Sequence, residues 1–154
     1  MKKFVFLCVF FAFSLSLRAQ ESGIRFFHGT WDEAIALAKK EKKKIFVDFY
    51  TEWCGPCLNM SLTVFVLPQV GEVYNKNFVC LKIDAEKGEG RELAKRYGVN
   101  SYPTYIFINP KNQEIIHRSG SNKPVEDFLY DAQGGINPKL GSVYMDKNLH
   151  HTAL

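Results

Sequence analysis

Hydrophobic and polar positions along the chain change period several times, and each change marks an element. Ile24 to Phe27 is a short apolar run that predicts a strand. Thr30, Trp31, Asp32 and Glu33 then have the spacing of a capping box, with Thr30 as cap and Glu33 reaching back. Trp31, Ala34, Ile35 and Ala38 follow at helical intervals, which predicts a helix to about Lys43. The cations between Lys39 and Lys44 complement the dipole at the C-terminal end of that helix. A solvated helix end therefore explains them better than an anion site.

Ile45 to Tyr50 is too continuously apolar to have a solvent face, as in a buried parallel strand, and Asp48 is the exception inside it. A helical stretch runs from Leu58 to about Lys76, and Pro68 must kink or split it. Val79 to Ile83 predicts a strand, Arg91 to Tyr97 a helix stopped by Gly98, and Tyr105 to Ile108 another buried strand. Asn109 to Asn112 supplies a turn into Ile115 to Arg118, which makes a hairpin. Pro124 to Ala132 predicts a last helix, and Gly134-Gly135 ends the patterned region. The order βαβαβαββα implies an α/β fold with a parallel portion and a late antiparallel hairpin.

The two ends stand apart from this pattern. Lys2 and Lys3 precede an unbroken apolar run from Phe4 to Phe13, and Leu17-Arg18-Ala19 resembles a cleavage site before Gln20. That is the anatomy of a secretory signal peptide. The alternative is an uncleaved membrane anchor, but Phe4 to Leu17 is 14 residues, short of the roughly 18–20 a spanning helix needs. Cys8 lies mid-run, which argues against a lipoprotein. The expected organisation is a leader at 1–19, one domain at 20–133 and a tail at 134–154, either docked or disordered. The expected location is periplasmic or secreted.

Charge and cysteine content change meaning once the leader is set aside. The chain has 20 basic and 16 acidic residues, and loss of Lys2, Lys3 and Arg18 leaves 17 against 16, a net +1 instead of +4. That removes the case for nucleic acid and leaves the leader as the only segment expected to meet a membrane. The cysteines fall to Cys54, Cys57 and Cys80, an odd number with two of them three apart.

Cys54-Gly55-Pro56-Cys57 opens the second helical stretch. Free N–H groups and the dipole at a helix start stabilise a thiolate, lowering a thiol pKa from about 8.5 into a range of about 3.5–7.5. A second thiol one turn on can attack the mixed disulfide that the first one forms. Gly55 and Pro56 allow the tight turn, and Pro56 removes an N–H that the first helical turn does not use.

Val47-Asp48-Phe49-Tyr50 followed by Trp53-Cys54-Gly55-Pro56-Cys57 closely resembles thioredoxin, and Ser101-Tyr102-Pro103-Thr104 matches that family's cis-proline loop. The resemblance covers roughly residues 24 to 132. With Thr63-Val64-Phe65 and Val99-Asn100 it leans towards exported members, such as the soluble thiol-reducing domains of periplasmic disulfide-interchange proteins. It implies the thioredoxin fold, a central mixed β-sheet flanked by helices with the cysteine pair at a helix N-terminus. It also implies a thiol–disulfide oxidoreductase without a cofactor, Cys54 as nucleophile and Cys57 as resolving thiol. Pro103 would be cis and pack beside the sulfurs, the Tyr102 backbone would pair with an extended substrate, and Trp53 would form a flat contact surface with Gly55 and Pro56 beside it. Asp48 matches the family's buried carboxylate, which takes a proton from Cys57. Burial should raise its pKa to suit that exchange, which favours this role over the alternative of a hydrogen-bonded structural Asp.

Gly55-Pro56 resembles the spacer of reducing members, which implies disulfide-containing exported proteins as substrates and a membrane or soluble electron donor. The chain departs from the family at two points. Tyr50 stands where thioredoxin has a second Trp, and the family's Lys beside the buried acid is expected to be replaced by Cys80, leaving Asp48 without its cation. Cys80 itself reads as a small buried hydrophobe rather than a third redox thiol. Two rival classes remain, a non-catalytic binding module built on the Pro103 loop and a metal-handling protein. A zinc site using Cys54, Cys57 and two of His28, His117, His150 and His151 lacks a second regularly spaced ligand pair, so no metal ligand is assigned.

Overall fold

In the computed structural model, which describes residues 23–137 and Lys139, four strands form one sheet in the order β2-β1-β3-β4. The elements in chain order are α1 (Trp31–Glu41), β1 (Lys44–Tyr50), α2 (Gly55–Thr63), α3 (Pro68–Asn77) and β2 (Phe78–Asp84). They continue with α4 (Gly90–Arg96), β3 (Thr104–Ile108), β4 (Ile115–Gly120) and α5 (Val125–Ile136). The leader, its cleavage point and the tail from Leu140 onward lie outside the described residues.

β1 is central, parallel to β2 and antiparallel to β3, and β3 continues antiparallel into β4. Alternation along β1 explains its unbroken apolar run. Ile45, Val47 and Phe49 face a core shared with Trp31, Ala34 and Ala38 of α1 and Leu93 and Ala94 of α4. Phe46 faces the opposite core, with Met60 of α2, Val70 and Tyr74 of α3, Tyr105 and Phe107 of β3, and Phe128 of α5. Rings dominate this second layer, including a Tyr74–Phe128 stack with centroids 4.6 Å apart. Each such buried side chain contributes roughly 1.5–3 kcal/mol by leaving water.

Most element boundaries follow local chemistry. Thr30 and Glu33 form the reciprocal capping box, and Lys42 closes α1 in the left-handed conformation at φ 55°. Pro68 splits the long helical stretch in two and starts α3.

Two expectations are corrected. Ile24 to Phe27 does not form a strand: Phe26 makes a single parallel bridge to Cys80. The Arg25 N–H is taken by the Asn75 side chain at 2.8 Å and the Ile24 N–H by the Phe65 carbonyl at 2.7 Å, so the ladder cannot extend. At the other end, Gly134-Gly135 does not stop the last helix, which runs to Ile136. A Cβ on Gly135 would lie 2.3 Å from the Phe107 ring, so glycine lets α5 press onto the sheet. Lys44 Nζ then caps the helix end, donating to the Gly135 carbonyl at 2.8 Å and to that of Ile136.

Candidate active site

Cys54 is the N-cap of α2 and is disulfide-bonded to Cys57, with their α-carbons 5.3 Å apart. The Cys54 sulfur also accepts the Cys57 backbone N–H at 3.2 Å, so it occupies the position where a helix start stabilises negative charge. In this oxidised form both cysteines are buried. Gly55 and Pro56 are the first two helical residues, and both are exposed. A Cβ on Gly55 would meet nothing within 4 Å, so this glycine leaves an open approach to the sulfurs and relieves no clash.

Asp48 lies on the sheet face below α2, fully buried. Its Oδ2 accepts a hydrogen bond from Lys82 Nζ at 2.7 Å. The expected loss of that cation is therefore wrong. The parallel register pairs Asp48 with Lys82 and Phe46 with Cys80, so Lys82 holds the place beside the acid. Cys80 is two residues back along the strand, buried, with burial pushing its thiol pKa far up. Burial raises the Asp48 pKa above the ordinary carboxylate value, and the charge and hydrogen bond of Lys82 offset this only in part.

Lys82 ties this pair to the redox helix. Its Nζ donates to Ser61 Oγ at 2.9 Å, and Ser61 Oγ donates to the Cys57 carbonyl at 2.9 Å. The ammonium also lies 4.4 Å from the centroid of the Tyr50 ring, at the position where the family's second Trp is absent. Tyr50, Cys54, Cys57, Leu58, Ser61 and Lys82 line a depression of about 130 Å³. Lys82 and Ser61 escaped the sequence reading. Ser61 lies four residues after Cys57, and that helical spacing was the available signal.

Trp53 is 70% exposed beside the cysteines, and its Nε1 donates to Glu86 Oε2 at 3.0 Å. Its ring meets that of Tyr102 edge-on at 5.9 Å, which joins the 101–104 loop to the redox site. The Tyr102–Pro103 peptide is cis and Pro103 is buried. His117 is placed elsewhere, against Asp131 of α5 at 3.2 Å. Among the described residues no three His, Cys, Asp or Glu side chains converge as metal ligands do.

The family model described as thioredoxin-like matches residues 27–110. Thioredoxin-1 of Drosophila yakuba is 40% identical over 83 residues, covering 54% of this chain and 72% of its own length. The thiol:disulfide interchange protein DsbD 2 of Pseudomonas aeruginosa is 33% identical over 84 residues, a match to 14% of that longer protein. Among solved structures, a candidate disulphide-isomerase from Bacteroides thetaiotaomicron superposes with a TM-score of 0.68 at 42% identity, covering 77% of this chain and 98% of its own. Fold, redox pair and relatives agree: the chain belongs to the thioredoxin-like family and is a thiol–disulfide oxidoreductase.

Proposed function

We propose that this protein reduces or exchanges disulfides in exported proteins, outside the cytoplasm, after its leader is removed behind Ala19. The observation that carries the chemistry is the Cys54–Cys57 pair at the start of α2, linked through Ser61 and Lys82 to a buried acid. The export rests on the signal-peptide pattern of residues 1–19.

In the dithiol form Cys54, as thiolate, attacks one sulfur of a substrate disulfide. The substrate's other sulfur leaves as a thiolate and takes up a proton. Cys57 gives its proton to the Asp48 carboxylate and attacks the Cys54 sulfur, which breaks the mixed disulfide and frees the second substrate thiol. Both electrons come from the Cys54–Cys57 pair, which ends as a disulfide. Renewal requires a reduced donor, membrane-bound or soluble. Trp53, Gly55, Pro56 and the Tyr102–Pro103 backbone form the face that meets the substrate chain.

Reduction of insulin disulfides by the pre-reduced protein tests the reading. Cys54→Ser should abolish turnover while the chain stays folded, and Cys57→Ser should accumulate mixed disulfides. Activity surviving Cys54→Ser would overturn it. Equilibration against glutathione tests direction, since a strongly oxidising potential would refute the reductant role. N-terminal sequencing of the exported protein tests the cleavage point.

A further inference from the structure

The outer face of α2 differs from the other helical surfaces. From Trp53 to Gly71 the chain carries no Asp, Glu, Lys or Arg. By contrast α1 exposes Asp32, Glu33, Lys39 and Lys40, and α4 exposes Arg91, Glu92, Lys95 and Arg96. Within the uncharged stretch Trp53, Leu58, Leu62 and Val66 are all exposed, Leu58 at 60% and Leu62 at 65%. Among the described residues the other exposed large hydrophobic side chain is Ile115, on β4. Leu58 and Leu62, four residues apart on α2, place two of these exposed apolar side chains on one side of the helix, and such a pair marks an interaction surface.

This face is continuous with the redox site. Leu58 lines the same depression as Cys54 and Cys57. Leu62 lies one turn further, on the same side of the helix. Every turnover joins a substrate chain covalently to Cys54, so the residues beside the substrate's cysteine are held over this surface at high local concentration. We propose, building on the oxidoreductase reading, that the Leu58–Leu62 face selects substrates whose chain is extended and apolar beside the reacting cysteine.

Geometry sets the spacing. With a helical rise of about 1.5 Å per residue, Leu58 and Leu62 stand about 6 and 12 Å along the axis from Cys54. An extended chain advancing about 3.3 Å per residue reaches them with its second and fourth residues from the cysteine. Those two residues share one face of a strand, so both can meet the leucines together. α2 itself offers no charged partner at these positions, and the charges that share the depression with Leu58 are those of Glu52 and Lys82.

Two synthetic peptide disulfides test this, one with Leu and one with Ser at the second and fourth positions on both sides of its cysteine. The pre-reduced full-chain protein should reduce the Leu peptide with a kcat/KM about tenfold higher, mainly through KM. In Leu58→Ser/Leu62→Ser that ratio should fall to near one. A ratio of peptides on one preparation does not depend on the folded fraction. A wild type without preference, or a variant that keeps it, would overturn the inference while leaving the oxidoreductase reading intact. A protein that reduces neither peptide overturns both. A dimer that dissociates on the double substitution would assign the face to a second copy and so overturn it too.

Discussion

Replacing Asp48 with Asn removes a charge from the middle of the sheet while keeping its shape, and two large effects oppose each other there. At the 2.7 Å separation from Lys82, Coulomb's law with an effective dielectric of about 20 gives about 6 kcal/mol of attraction. Taking a carboxylate out of water costs several kcal/mol even after relaxation. The Lys82 side chain keeps 27% of its exposure against 1% for Asp48, so solvent screens the attraction. Burial wins, and the Asp48 pKa is raised above 3.8.

The folded state therefore holds the Asp48 proton more tightly than the unfolded chain does. Its contribution to stability is fully present below pH 3.8 and is lost as pH rises through the raised folded pKa. Asp48→Asn has no such dependence. Stability of the variant minus that of wild type should grow with pH from about 4, by at most about 1.4 kcal/mol per pH unit, and level off above the folded pKa. The Asn Nδ2 group introduces an unpaired donor worth about 1–3 kcal/mol against the variant, so the slope and not the offset is diagnostic. Urea unfolding of both oxidised proteins at pH 4 to 9 measures it, with groups common to both cancelling. A flat difference, or one that shrinks as pH rises, would show that Lys82 prevails over burial and refute the reasoning.

Two further substitutions probe the polar interior. Ser61→Ala removes one acceptor of Lys82, which frees the ammonium towards solvent and leaves Asp48 less compensated; the acid limb of the insulin-reduction profile should move to higher pH, and Ser61→Thr should restore it. Asp131 behaves oppositely to Asp48: burial pushes its pKa up, but bonds from His117, Lys123 and Ser119 outweigh this and hold it below 3.8. Its contribution is present above pH 3.8 and lost as pH falls through the lowered folded pKa. Asp131→Asn should thus lower stability at pH 7 by about 3 kcal/mol, a deficit that urea titrations should find narrowing, without vanishing, as pH falls below 4.

Features set by short-range chemistry were legible in the chain. The capping box at Thr30 and Glu33, the split at Pro68 and the Cys54–Cys57 pair each depend on residues within a turn or two of one another. Failures came where a distant group competed for the backbone. Asn75 takes the N–H that the Ile24–Phe27 strand needed, fifty residues away, and Lys44 holds the end of a helix ninety residues later. Neither partner leaves a local trace, because an Asn or Lys on an otherwise ordinary element reads as surface.

The misplaced cation shows the same limit inside the site. Both Cys80 and Lys82 point to the face of β2 that Asp48 occupies on β1, since strand residues two apart share a side. Pattern alone cannot choose between them; only the register does, and the register is set by the whole β1–β2 ladder from Lys44 opposite Phe78 to Tyr50 opposite Asp84. A shift of two would have put a thiol beside the carboxylate and left the ammonium beyond it. The observed pairing instead gives Asp48 a charged partner that is itself held by Ser61 on the redox helix. The position of the acid's charged partner is therefore set jointly by strand register and by Ser61 on α2. Perturbing α2 alone, with the Asp48–Lys82 pair left intact, should still be felt at the acid.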